Sequence, residues 1–240
     1  MDIKTRDAAL AQFLAALDLA LPDGVSVVLY GSAARGDWDA ARSDLNLLLV
    51  LEDASPPALQ QLMPAVRSWH EAGFTAPLII GRDEWVRAAD VFPIEITDMS
   101  LAYEVLRGDD PVLPLSVDPA DLRRALESAL RGKLIRLRQA YARFGDAMPT
   151  LGGFAMATVS ELLVLVRCIA VLKRRDPGTT PLAAISTLAD ALGTAESALH
   201  QVASHRRDPE WSCTPELFTE YLEAVHRLVE IVDQHQPGAA

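Results

Sequence analysis

With only two cysteines in 240 residues, Cys168 and Cys213, the chain has no material for a disulfide framework. Cys168 falls in an apolar helical run and reads as a small buried residue, which fits a reducing cytoplasm. No charged-then-apolar leader begins the sequence, so the expected location is cytoplasmic. Long hydrophobic runs are scarce too. The most apolar window, 154–172, is broken by Ser160, Glu161 and Arg167, which predicts a core helix and no membrane partner. Positive charge is in deficit, with 22 Lys and Arg against 33 Asp and Glu and a formal net charge of −11. That balance argues against broad nucleic-acid binding and leaves room for a local basic site. The histidines lack the spacing of a metal-binding helix, and neither a Walker-type loop, a dinucleotide fingerprint nor a fixed-period repeat is present. What remains is a chain 50% hydrophobic and 23% charged, enough for one large or two modest domains with real cores.

The most informative stretch runs over 25–52. Two β-rich apolar runs, 25–30 and 45–51, flank a turn-forming segment that opens with Gly31-Ser32 and closes with Ser43-Asp44. Gly31 can adopt backbone angles closed to other residues and lets the chain approach a ligand, while Ser32 and the amides after it can donate to phosphate oxygens. Along the second run the side chains alternate, so Asp44 and Asn46 share one face and Leu45 and Leu47 the other. A charged and a neutral oxygen ligand then sit side by side, next to the place where phosphates would rest.

The strings Gly31-Ser32-Ala33-Ala34-Arg35-Gly36 and Ser43-Asp44-Leu45-Asn46-Leu47-Leu48-Leu49-Val50 resemble the signature of the polymerase-beta-like nucleotidyltransferase superfamily, especially its small bacterial members and the aminoglycoside adenylyltransferases. The resemblance departs at one position, where Asn46 stands in place of the pattern's second Asp. It implies transfer of a nucleoside monophosphate, AMP by preference, from a nucleoside triphosphate to a hydroxyl of a small molecule or a protein. It further implies Mg2+ or Mn2+ as cofactor, Asp44, Asn46 and Glu95 as catalytic and metal-binding residues, and Gly31, Ser32, Arg35, Ser43 and Lys133 as nucleotide-binding residues. Because Asn46 deletes a charge, a degenerate nucleotide-binding or antitoxin-like interaction protein is the alternative. A homodimer is left open.

Glu95 enters through the segment 92–99, Phe-Pro-Ile-Glu-Ile-Thr-Asp-Met. Taken as a strand, it sets Glu95 and Thr97 against Ile94, Ile96 and Asp98, and leaves Glu95 facing the functional side with Asp98 in reserve.

The expected fold is an α/β (α+β) nucleotidyltransferase domain with a small mixed sheet over 1–112, followed by an all-α helical bundle over 118–236. Helical spacing covers 5–21 and 58–72, with Pro64 weakening the second; strands are expected at 77–80 and 103–106 and a short helix at 83–89. Asp118-Pro119 reads as a helix start. The helix after it carries Arg123, Arg124, Arg131, Lys133, Arg136, Arg138 and Arg143 against only Asp121 and Glu127. Lys133 or Arg131 is the residue expected to reach a triphosphate. Later helices are expected over 154–173, 181–192, 194–204 and 215–235, with a frayed tail at 236–240.

Overall fold

The computed structural model describes residues 3–21, 23–36, 45–206, 208 and 210–235. The chain divides into two compact units, Met1–Ser116 and Val117–Ala240. In order, the first unit contains α1 (Ile3–Ala20), β1 (Val25–Tyr30), α2 (Ser32–Arg35), β2 (Asn46–Leu51), α3 (Pro56–Glu71), β3 (Leu78–Gly81), α4 (Arg82–Val86), α5 (Pro93–Leu101) and β4 (Tyr103–Arg107). Its described strands form one mixed sheet in the order β3-β2-β1-β4. β1 runs antiparallel to both β2 and β4, while β2 and β3 are parallel.

The sheet is half of a two-layer core. Val25, Val27 and Leu29 of β1 and Leu47, Leu49 and Leu51 of β2 point to one face, where they meet Leu10, Phe13 and Leu17 of α1 and Leu62, Ala65 and Trp69 of α3. The other face is apolar as well, since Val28, Leu48 and Val50 are fully buried. This is why the two runs read as nearly continuous hydrophobic stretches with the polar residues pushed to their ends. Trp69 stacks on Phe74 with centroids 4.3 Å apart and donates its indole N–H to the Thr75 carbonyl at 2.8 Å. At the far edge of the strand pair, Glu52 N donates to the Gly24 carbonyl at 2.8 Å, which closes the turn ahead of β1. Pro64 is accommodated inside α3 without ending it.

One expectation is corrected. The segment around Glu95 is not a strand but the helix α5. Its buried residues Pro93, Ile96, Thr97 and Met99 recur at helical spacing, and Pro93 sits in the first helical turn, where its missing N–H costs nothing. Two isoleucines two apart carried the strand reading, and three or four residues are too short a window to separate a period of 2 from one of 3.6.

Among its described residues every regular element of the second unit is a helix: α6 (Pro119–Phe144), α7 (Met148–Leu172), α8 (Pro181–Thr187), α9 (Ala189–Leu192), α10 (Ala195–Ser204) and α11 (Pro215–Asp233). The Asp118 carboxylate caps α6 by accepting from Ala120 N at 2.7 Å, and Thr180 and Thr214 cap α8 and α11 in the same way. α7 begins six residues before its expected start of 154, because Gly152 and Gly153 lie within the helix and not at its end. The stretch 181–192 is two helices that meet at Leu188. By length and composition α7 could cross a membrane, yet 61% of its most apolar window is buried inside the structure. It packs against α6, α8, α10 and α11. Cys168 and Cys213 are both buried and outside any disulfide, and burial pushes the Cys213 thiol up to about 11, so Cys213 is not a ready nucleophile. The expected tail at 236–240 lies outside the described residues.

Gly152 marks the tightest approach in this unit. A Cβ at that position would lie 2.4 Å from the Trp211 carbonyl oxygen and 3.1 Å from Cys213 N, both backbone atoms that cannot swing aside. Gly152→Ala is therefore expected to destabilise the chain by roughly 1–3 kcal/mol despite the better helix propensity of alanine, read as a lower denaturation midpoint at unchanged slope.

Candidate active site

The site grows from the place where β1 ends. Gly31 has φ 77 and ψ −147, a conformation that strongly favours glycine, and it turns the chain from β1 directly into α2. Arg35 N then donates to the Gly31 carbonyl at 3.1 Å. Within α2, Ala33 is buried in the core while Ser32 is half-buried. Gly36 closes this single turn in the left-handed conformation, φ 82 and ψ 8.

Register brings the second strand to the same point. Tyr30 pairs with Asn46 across the antiparallel ladder, so the first residue of β2 sits beside the last residue of β1. A Cβ on Gly31 would lie 2.7 Å from the Asn46 amide nitrogen. The glycine is therefore required twice, by its backbone angles and by the side chain lying over it. Asn46 is half-buried, with the core residues Leu45 and Leu47 on either side of it.

Glu95, in the first turn of α5, is exposed. The Tyr30 phenol is pushed up, first by burial and then by the negative charge of Glu95, so the carboxylate acts directly on the end of β1. A second tie joins α5 to the turn. Arg35 forms an ion pair with Asp98 at 3.6 Å, with both side chains largely buried, at 13% and 12% exposure. Across β1, Tyr30 also pairs with Tyr103 of β4, whose hydroxyl donates to Asp110 Oδ2 at 2.7 Å.

Of the residues expected to form the site, Gly31, Ser32, Arg35, Asn46 and Glu95 thus gather at one end of the sheet. Arg35, assigned to phosphate by the resemblance, has its charge already met by Asp98. Ser43 and Asp44 lie outside the described residues. Lys133 belongs to the helical unit, where its buried side chain pairs with Glu161. Arg131 is likewise engaged there, with Glu127 at 2.9 Å and Asp233 at 3.5 Å. The Tyr30–Glu95 coupling and the Arg35–Asp98 pair were not read from the sequence. The helical spacing of Pro93, Ile96 and Thr97 was the signal that would have turned Asp98 toward Arg35.

Among the described residues no group of three His, Cys, Asp or Glu side chains could hold a metal ion. Asn46 and Glu95 offer oxygen donors only, one neutral and one charged. Such a set suits a hard cation that arrives with phosphate ligands of its own, since magnesium usually takes just one or two protein carboxylates beside its substrate phosphates.

The architecture is that of a nucleotidyltransferase-like α+β domain followed by a helical region. A solved structure of the same fold is the spectinomycin adenyltransferase AAD(9) from Enterococcus faecialis with ATP and spectinomycin, 13% identical, covering 95% of this chain and 99% of that one at a TM-score of 0.57. At that identity the likeness is one of fold. No protein-family model matches the chain, and neither does any curated protein.

The Glu95–Tyr30 coupling is directly measurable. Glu95→Gln removes the negative charge that disfavours the phenolate, so the Tyr30 titration midpoint is expected to fall while staying above that of a free tyrosine, because burial is the larger cause. The check is a pH titration of the Tyr30 ring followed by carbon-13 NMR.

Proposed function

We propose that this chain transfers a nucleoside monophosphate, AMP by preference, from a magnesium-bound nucleoside triphosphate to a hydroxyl of a small molecule or a protein side chain. The observation that carries the reading is the convergence of Gly31, Asn46 and Glu95 at one end of the sheet, with the Asn46 amide lying against Gly31 and the Glu95 charge felt by Tyr30. The fold shared with an adenyltransferase agrees with it.

In this reading Gly31 lets the backbone come close to the triphosphate, and Ser32 with the amides that follow donates to its phosphate oxygens. Asp44 and Asn46 hold the magnesium that accompanies the nucleotide. The ion supplies charge neutralisation of the phosphates. Glu95, exposed at the start of α5, takes the proton of the acceptor hydroxyl. The acceptor oxygen forms its bond to the α-phosphorus as the bond to the β-phosphate oxygen breaks, and pyrophosphate leaves. Arg35 works indirectly, by holding α5 to the turn through Asp98.

A second reading has its own observation. Asn46 brings an amide where a carboxylate would help offset the repulsion of two divalent ions. That repulsion is roughly fourfold the value for unit charges, itself about 4 kcal/mol at 4 Å and an effective dielectric of 20. A site short of one charge suits a nucleotide-binding or antitoxin-like interaction protein without turnover.

Turnover separates the two. The purified chain, given magnesium, triphosphate labelled at the α-phosphate and a fractionated cell extract, is expected to move label onto an acceptor. Glu95→Gln should slow that transfer by about 10²–10⁴-fold, the usual contribution of a general base. Nucleotide binding with no labelled acceptor in any fraction would favour the second reading.

A further inference from the structure

Between α6 and α7 the helical unit opens into a cleft of about 370 Å³, within the size range of small-molecule sites. Its shape follows from the sequence of the two helices. α6 and α7 pack together, and both carry large buried branched residues, Leu126, Leu130 and Leu134 on one and Leu162, Val166 and Ile169 on the other. Near the connection between them the cleft is lined by two small residues, the buried Ala140 and the exposed Ala157.

The two ends of the cleft differ in chemistry. At one end Lys133 of α6 pairs with Glu161 of α7. At the other Phe144 and Phe154 stack with centroids 5.9 Å apart and planes at 24°, and the Arg143 guanidinium lies over the Phe144 ring at 4.8 Å. Arg136, on the wall between them, is exposed and makes no ion pair among the described residues. Glu161 is the only carboxylate among the lining residues and its charge is committed to Lys133, so two guanidinium groups remain for a ligand. In a chain of net charge −11, such a concentration of positive charge beside the half-buried Phe144 and the exposed Phe154 stands out as a specific feature.

We propose that this cleft binds a small organic anion with a flat apolar body. Its carboxylate or phosphate would engage Arg136 and Arg143, whose planar forks suit bidentate recognition of such groups, and its body would lie against the Phe144–Phe154 pair. The site is complete within the helical unit and does not depend on nucleotidyl transfer.

The test uses the full chain without nucleotide or metal and two probes of the same shape, naphthalene-2-carboxylate and naphthalene-2-carboxamide, with affinities measured by ligand-observed NMR. The carboxylate is expected to bind about tenfold more tightly than the neutral amide, the difference set by charge-assisted hydrogen bonds. Arg136→Glu combined with Arg143→Glu alters two exposed side chains. It should abolish carboxylate binding with an unchanged far-ultraviolet circular dichroism spectrum. Arg136→Gln alone should weaken binding severalfold, whereas Arg227→Glu, an exposed charge reversal on α11, should leave it unchanged. Absent carboxylate binding, equal affinity for the two probes, or the same loss from Arg227→Glu as from the double variant would overturn the proposal.

Discussion

The first unit depends on the contact between the end of β1 and the start of β2. Antiparallel pairing in the observed register puts Asn46 beside Tyr30, and the side chain of Asn46 then occupies the space where any residue but glycine at 31 would place its Cβ. That one constraint fixes the sharp turn into α2 and the position of a polar side chain at the end of the sheet's two central strands. The leucines that flank Asn46 belong to the core shared with α1 and α3, and a slip of one residue would turn Asn46 toward that core. Ladder register and burial of the flanking leucines together aim the polar residue.

α5 closes the arrangement from the other side. Its apolar residues anchor it in the unit, and the Arg35–Asp98 pair ties it to the turn that Gly31 begins. With both side chains largely withdrawn from water, breaking this pair would leave a partly buried charge without compensation, which is costlier than losing a surface ion pair. The pair of Arg123 with Glu127 on α6 is partly buried, whereas exposed pairs such as Arg124 with Asp121 on α6 and Arg227 with Glu230 on α11 are of the surface kind and contribute roughly 0.3–0.5 kcal/mol each. On α6 the ion pairs engage Arg123, Arg124 and Arg131, and they leave the stability of the bundle to its apolar seams.

Much of this was legible in the sequence, and the remainder was not for definite reasons. The strands β1 and β2, the glycine between them and the sharing of a face by Asn46 and the site followed from alternation and from the special angles of glycine. Strand-rich patterning giving way to helical patterning near Pro119 predicted the all-helical second half. Glu95 was assigned to the site on the wrong element: Ile94 and Ile96 satisfy a strand period, and only the buried set Pro93, Ile96, Thr97 and Met99 reveals the helix. Arg35 could not be separated from a phosphate ligand because its partner, Asp98, is 63 positions away and was oriented by that same misreading. Lys133 looked available on a basic helix until Glu161, from the next helix, proved to hold it. Long-range charge pairing leaves no periodic trace, and the cleft lined by α6 and α7 is announced by neither helix alone.

The central claim is that the turn at Gly31 and the start of β2 form a magnesium-nucleotide site. Isothermal titration of the chain with magnesium-ATP tests it most directly, using the wild type, Asn46→Asp and Asp44→Asn. Adding a carboxylate at 46 should tighten binding of the metal-nucleotide complex, and removing the one at 44 should abolish it, because an amide keeps an oxygen donor but deletes the charge a divalent ion requires. If all three proteins bind magnesium-ATP with the same affinity, residues 44 and 46 do not hold the metal, and this end of the sheet is not the nucleotide site.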